Sequence, residues 1–114
     1  MRMRKKPNLI PRMERCEAVQ IKDPVPLRGR WLATFPGHTA LHVEIGCGKG
    51  RFTADTAEQN PDVLLAAIEK VPDAMVVGME RVTDRGLTNV RFLGTNGATL
   101  WLWSCLPKPG APGP

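Results

Sequence analysis

The first strand and turn of this chain lie within residues 41–50, which read Leu41-His42-Val43-Glu44-Ile45-Gly46-Cys47-Gly48-Lys49-Gly50. The first half of this stretch is rich in β-branched and other apolar side chains, which favour a β-strand. Three glycines at alternate positions follow at once, and such a turn lets the backbone approach a ligand closely. Residues 51–59 then predict a helix, which Asn60-Pro61 ends. A strand, a glycine turn and a helix in this order are typical of nucleotide-binding α/β proteins.

Three further segments continue this pattern toward the C-terminus. Residues 63–68 are apolar without alternation, as expected of a strand that is covered on both faces of a parallel sheet. A helix is predicted to begin near Pro72 and to end at Gly86, which is suited to a left-handed cap. Residues 89–93 form the third predicted strand. The order strand, helix, strand, helix, strand predicts an α/β fold with a parallel, doubly wound sheet.

Two helical patterns precede the first strand. The first places Met13, Cys16 and either Val19 or Gln20 on one side, and the proline-rich residues 23–26 break it. In the second, Leu27, Trp31 and Phe35 recur at helical spacing and predict one stripe of a short helix.

The positive charge of the chain is concentrated at its N-terminus. Of the 16 Lys and Arg residues, nine lie within residues 1–30 beside three acidic residues, whereas the remainder holds seven beside eight. The basic residues of this arm are Arg2, Arg4, Lys5, Lys6, Arg12, Arg15, Lys22, Arg28 and Arg30. Such an arm suits a polyanion, because each phosphate contact releases condensed counterions. The alternative is a solvated leader that only aids solubility.

Length and cysteine content restrict the class of protein. The 114 residues give room for one small domain, and the longest apolar run is far too short to cross a bilayer. The segment after the first basic residues is no hydrophobic signal core. Cys16, Cys47 and Cys105 make neither a disulfide framework nor a metal knuckle. We therefore expect reduced thiols in a cytoplasmic protein without a membrane partner.

Polar side chains lie at or just after the end of each predicted strand and suggest which nucleotide is bound. The dinucleotide fingerprint GxGxxG would need a glycine where the chain has Arg51, whereas the GxGxG spacing found here is the one used around S-adenosylmethionine. Glu44 is suited to the amino group of the methionine part of that cofactor, and Glu69 to its two ribose hydroxyls. Asn96 is suited to the adenine edge. These residues and Gly46, Gly48 and Gly50 are the predicted cofactor contacts.

Several motifs together resemble the bacterial tRNA (guanine-N7-)-methyltransferases over about residues 1–96. They are Val43-Glu44-Ile45-Gly46-Cys47-Gly48-Lys49-Gly50-Arg51-Phe52, Asn60-Pro61-Asp62, Ala67-Ile68-Glu69-Lys70 and Leu87-Thr88-Asn89-Val90, with Arg30-Trp31-Leu32 and Phe35 upstream. The resemblance implies a class I methyltransferase fold, S-adenosylmethionine as cofactor and methyl transfer to N7 of a variable-loop guanine in cytoplasmic tRNA. Arg2, Arg4, Lys5, Lys6 and Arg12 are the RNA-binding candidates on the arm.

The family pattern is not followed to its end. In the family, a fourth strand ends in an Asn-Phe-x-Asp-Pro-Trp-Pro motif that carries the proposed catalytic Asp, and no residue here matches it. Composition changes after Gly97, and the last residues are almost all Pro, Gly and Ala. We therefore expect an arm and entry helix at 1–38, a partial cofactor-binding domain at 39–96 and an irregular tail at 97–114. A frameshifted or misassembled reading of a longer gene is the hypothesis for that tail.

Without the fourth strand, the expected form is weakly active or inactive, and the first strand is expected to be an open apolar edge. Other readings remain open. The chain could belong to another S-adenosylmethionine-dependent methyltransferase that acts on a small molecule or a protein, although the basic arm speaks against it. It could also be a non-catalytic RNA-binding module with a vestigial cofactor turn. A nicotinamide enzyme is a distant further alternative because of Arg51.

Overall fold

A computed structural model describes residues 8–27 and 29–94. The α-helices are α1 (Leu9–Arg15), α2 (Trp31–Thr34), α3 (Arg51–Gln59) and α4 (Pro72–Asp84), and the strands are β1 (Ala40–Ile45), β2 (Val63–Ile68) and β3 (Val90–Leu93). Two short 3-10 turns, Glu17–Val19 and Val25–Leu27, lie between α1 and α2. The bounds of β2 and α3 are those expected from the sequence.

The three strands form one parallel sheet in the order β1-β2-β3. Ala40 lies opposite Val63 at the start of the β1–β2 pair, and Leu65 opposite Val90 at the start of the β2–β3 pair. Five consecutive residues of β2 are buried, since this strand is paired on both edges and covered on both faces. The predicted parallel α/β fold is thus confirmed for the described residues.

Helices cover the two faces of the sheet unequally. On one face α3 and α4 pack beside each other and against β2 and β3. Their apolar core is formed by Ala54, Ala57, Leu65, Ala67, Met75, Met79, Val82, Val90 and Phe92, to which Cys16 and Val19 are added from the N-terminal segment. On the other face Trp31 packs on Leu64, Ala66, Ile68 and Leu93. The glycine turn belongs to the face that holds α3 and α4.

The N-terminal segment extends the sheet beyond β3, which the sequence pattern did not predict. Gln20 forms an isolated parallel bridge with Phe92, and the Ile21 N–H donates to the Phe92 carbonyl at 2.9 Å. Just before it, α1 contacts α4. The outer edge of β3 is therefore partly paired, which limits its exposure to other strands.

The opposite edge of the sheet belongs to β1. Among the described residues β1 pairs with β2 alone. Ile45, at its end, is 69% exposed, and Phe52 on the neighbouring α3 is 73% exposed. This part of the molecule agrees with the expected apolar edge.

The predicted ending of α4 at a left-handed glycine is confirmed. Gly86 has a φ of 68°, and its N–H donates to the Thr83 carbonyl at 3.0 Å. The Leu87 N–H reaches back to the Val82 carbonyl at 3.1 Å. This pair of bonds is a Schellman motif, which satisfies carbonyls that the helix end would leave open.

The helical predictions before β1 were only partly right. The first pattern is divided, because α1 ends at Arg15 and a 3-10 turn carries Val19. The single helix expected to carry Leu27, Trp31 and Phe35 is wrong, because Gly29 adopts a φ of 71° and interrupts it. The stripe nevertheless reaches the core, since Leu27 and Phe35 are partly buried beside Trp31. Packing on the sheet therefore brings these apolar side chains together although the backbone between them is not one continuous helix.

Candidate functional site at the carboxyl end of the sheet

The candidate site begins with the turn that follows β1. Gly46, Gly48 and Gly50 have φ values of 77°, 57° and 71°, in the left-handed region that side chains disfavour. The N–H groups of Gly46 and Cys47 both donate to the Ile68 carbonyl, at 2.8 and 3.0 Å. These bonds hold the turn against the end of β2.

The three glycines differ in what surrounds them. A Cβ on Gly50 would lie 2.7 Å from the Gly78 Cα, and one on Gly78 would lie 3.0 Å from the Phe92 ring. Beyond their own chain neighbours, the Cβ positions of Gly46 and Gly48 have no atom of residues 8–27 and 29–94 within 4 Å. Gly50 is thus needed where α3 begins against α4, whereas Gly46 and Gly48 border open space that a ligand can enter.

Glu69, directly after β2, faces this turn. Its Oε1 accepts the Gly48 N–H at 2.8 Å, and its Oε2 accepts the Val71 N–H at 3.0 Å. The residue is only 9% exposed. Because a carboxylate accepts about four hydrogen bonds, about two positions remain for the donors of a ligand. Sequence reasoning assigned this side chain to a ribose and did not foresee that it also fixes the turn.

Glu44, near the end of β1, faces α3. Its Oε1 accepts a hydrogen bond from the Thr53 hydroxyl. Its Oε2 has no hydrogen-bond partner within residues 8–27 and 29–94. Thr53 is 0% exposed and was not among the predicted site residues. A signal was present in the sequence, because Thr53 is the polar member of the stripe that contains Ala54 and Ala57.

Cys47 lies inside the turn, and the charges of Glu44 and Glu69 act on its thiol. Burial, followed by the negative charges of Glu44 and Glu69, raises the pKa of its thiol from 9.0 to about 12. The thiol is therefore protonated near neutral pH and is a poor nucleophile. The same two charges make the turn attractive to a cationic group.

Of the remaining predicted site residues, the structure describes Arg12 alone. Asn96 lies outside the described residues, as do the arm residues Arg2, Arg4, Lys5 and Lys6. Arg12 is described, and its guanidinium forms an ion pair with Glu80 on α4. The hydrogen bond to Glu80 raises the pKa of Arg12. Arg12 is therefore engaged within the molecule, at a distance in sequence from the glycine turn.

A parallel sheet with a glycine turn and two carboxylates at its carboxyl end defines a Rossmann-like α/β protein. Within the described ranges, the helices are too short and too polar to traverse a bilayer.

Comparison with known proteins narrows this class. Residues 38–108 match the sequence model of the family Methyltransf_4, whose description reads "Putative methyltransferase". The chain belongs to this methyltransferase family.

Curated relatives have more specific names. Proteins named tRNA (guanine-N(7)-)-methyltransferase from Bacillus velezensis and Geobacillus kaustophilus are 37% and 38% identical to this chain over 100 residues. A protein of the same name from Streptococcus agalactiae is 32% identical over 100 residues. Each alignment covers 88% of this chain and 46% or 47% of the relative. The chain thus spans less than half the length of these relatives, and the resemblance predicted from its motifs is confirmed.

Proposed function

We propose that this chain binds S-adenosylmethionine at the turn of Gly46–Gly50 and forms the cofactor-binding part of a tRNA methyltransferase. The acceptor atom in this proposal is N7 of a variable-loop guanine. The proposed partner is tRNA and the proposed compartment is the cytoplasm, as the resemblance to the bacterial tRNA methyltransferases implies.

One observation carries the proposal: Glu69 faces the glycine turn and keeps acceptor positions beside open space. The residues fit the cofactor in three respects. Apart from the adjoining residues of the turn, no atom of the described residues lies within 4 Å of the Cβ positions of Gly46 and Gly48, which leaves room for a nucleoside against the backbone. Glu69 offers acceptors for a ribose diol, and the Oε2 of Glu44 is open to an ammonium group. The two negative charges also favour a cationic ligand.

The chemistry of the acceptor atom, guanine N7, determines what the protein residues have to do. S-adenosylmethionine supplies an electrophilic methyl group on its sulfonium. Guanine N7 carries a lone pair and no proton, so its attack requires no strong general base. The residues of this chain therefore need only bind and orient, with Glu69 on the ribose, Glu44 on the amino group and Asn96 proposed for the adenine. Alignment and exclusion of water would supply the rate.

The proposal that the substrate is tRNA has separate support. The curated relatives carry tRNA in their names. The N-terminal arm of this chain is strongly basic, which suits the phosphate backbone. The RNA-binding role is proposed for Arg2, Arg4, Lys5 and Lys6. Arg12 joins them only if its ion pair with Glu80 opens.

The cofactor part of the proposal is tested by calorimetry with S-adenosylhomocysteine and the Glu69→Gln variant. The amide of Gln has only one acceptor oxygen, so it cannot accept both backbone N–H groups and a ribose diol. We expect affinity to fall at least about tenfold, the effect of losing a hydrogen bond to a charged group.

The matched control is Glu58→Gln, the same chemical change on α3. Glu58 is exposed and lies 3.6 Å from Arg85, away from the turn. This variant is expected to bind like the parent chain. A folded parent protein without affinity at millimolar ligand would refute the cofactor site.

Binding of tRNA separates the proposal from its alternatives. The proposal expects the chain to bind both tRNA and the cofactor, with tRNA affinity that falls as salt rises. Binding of tRNA alone would favour the non-catalytic RNA module, and binding of the cofactor alone would favour a methyltransferase with a small substrate. Methyl transfer is measured with radiolabelled cofactor and unmodified tRNA. We expect transfer far slower than by the Bacillus velezensis relative, since no residue of this chain matches the catalytic motif.

A further inference from the structure

A buried hydroxyl connects the first turn of α3 to Glu44. Thr53 is 0% exposed, and its Oγ1–H donates to Oε1 of Glu44. Glu44 itself is only partly buried on the edge strand β1. A carboxylate that is otherwise free to rotate is thus held by a side chain that cannot reach solvent.

We propose that Thr53 is a positioning residue that orients Glu44 toward the amino group of the cofactor's methionine part. The inference rests on the proposed function and deepens it, because it assigns a role to a residue that is not among the predicted cofactor contacts. With Oε1 occupied by Thr53, Oε2 is the oxygen directed to the ligand.

The physical reason is the entropy of a flexible side chain. A glutamate has several rotatable bonds, and ordering them during binding lowers affinity. The Thr53 hydroxyl orders them in the free protein, because a buried hydroxyl needs an acceptor and Glu44 provides a charged one. Thr53 is itself fixed, since Thr has restricted χ1 angles and α3 is packed on β2 and α4.

The test compares two ligands that differ in the group that Glu44 contacts. S-adenosylhomocysteine carries the amino acid part, whereas 5′-methylthioadenosine lacks it and keeps the ribose and adenine. Thr53→Val removes the hydroxyl at nearly constant volume. We expect it to lower the affinity for S-adenosylhomocysteine about tenfold. Its affinity for 5′-methylthioadenosine should stay within about twofold, because Glu69 is unchanged.

Two variants serve as controls. Thr53→Ser keeps the hydroxyl and should restore most of the affinity for S-adenosylhomocysteine. Thr56→Val makes the same substitution one turn nearer the C-terminus of α3, at a residue that is only partly buried. It should bind both ligands like the parent chain. Thermal unfolding of each variant reports whether the fold is retained.

The outcomes distinguish this inference from the proposed function. If the folded parent chain binds neither ligand, the proposed cofactor site fails. If the parent chain binds and Thr53→Val binds S-adenosylhomocysteine equally well, the positioning role is overturned while the cofactor site stands. Equal weakening of both ligands would show that the hydroxyl supports the turn as a whole, and this also overturns the specific role.

Discussion

The two ends of the sheet use buried polar side chains in opposite ways. At the amino end, Asn89 is 4% exposed and its amide nitrogen donates to the carbonyls of Ala57, Asn60 and Val63 at 2.9–3.0 Å. At the carboxyl end, Glu69 accepts two backbone N–H groups and keeps further acceptor positions. Where donors are fully used, a polar group stabilises the scaffold. Where acceptor positions remain, as on Glu69, we propose that the polar group serves a ligand.

The largest effect is expected at Gly50, which belongs to the site by sequence and to the scaffold by packing. Alanine there would have to adopt a φ of 71° and place its Cβ 2.7 Å from the Gly78 Cα. Left-handed strain and overpacking together should cost about 4 kcal/mol of unfolding free energy. Denaturant unfolding of Gly50→Ala measures this.

Gly48→Ala is the matched control. Gly48 has a similar φ of 57°, but its Cβ position is open. We expect Gly48→Ala to lower the free energy of unfolding by about 1 kcal/mol, from backbone strain alone. Equal losses for the two variants would mean that the contact with Gly78 adds nothing.

The second largest effect on stability is expected at Asn89, at the amino end of the sheet. Asn89→Asp removes both N–H donors and turns a carboxylate toward three carbonyl oxygens. The free energy of unfolding should fall by about 3 kcal/mol as a result. Asn60→Asp is the control, because the exposed Asn60 side chain donates to the Thr56 carbonyl alone, and about 0.5 kcal/mol is expected. Both losses are read from urea unfolding.

The folded fraction of Asn89→Asp should bind S-adenosylhomocysteine like the parent chain, because the substitution lies at the opposite end of the strands. A loss of affinity beyond the loss of folded protein would contradict the separation of scaffold end and ligand end.

The smallest effect is the pH dependence at Cys47. The raised pKa of this thiol, about 12 against 9.0, means that the native state keeps a proton that the unfolded state releases above pH 9. Stability from this group is therefore complete below pH 9 and is lost as the pH rises toward 12. Cys47→Ala should lose less stability than the parent chain between pH 8 and pH 10. If the stability of Cys47→Ala and of the parent chain changed equally with pH, the raised pKa of Cys47 would be contradicted.

Alkylation of Cys47 provides an independent measurement. At pH 8 the native thiol should react with iodoacetamide at least about 100-fold more slowly than in denaturant, because little thiolate is present. Mass spectrometry of the peptide that contains Cys47 gives the rate. Saturating S-adenosylhomocysteine should slow the reaction further by covering the turn.

Local patterns in the sequence were sufficient for the elements near the site. The apolar run of β2, the stop at Asn60-Pro61 and the cap at Gly86 each act within a few residues, and the structure agrees with all three. The helix expected through Trp31 failed for a physical reason. Packing of Trp31 on the sheet face stabilises a backbone that Gly29 allows to leave the helix. The spacing of apolar residues indicates which side chains are buried, but it does not indicate whether the helix between them is continuous.

The candidate site was predicted in part. The glycines and the two carboxylates follow from motif spacing, because parallel strands bring their carboxyl ends to one edge. The roles of these residues as cofactor contacts stay predictions, as does the division into an arm, a partial domain and a tail. Thr53 was missed because its acceptor, Glu44, is on another element. The structural role of Asn89 was also missed, since its three acceptors lie on α3 and β2 and in the loop between them.

The sequence alone determined the order of the three strands and of the helices between them, the left-handed cap at Gly86 and the presence of a carboxylate at the ends of two strands, because these depend on neighbours in the chain. Only the tertiary structure decided which acceptors are used and which remain. Hydrogen bonds from Gly48 to Glu69 and from Thr53 to Glu44 join separate elements. Their existence depends on how helices and strands pack, and packing is a property of the assembled core.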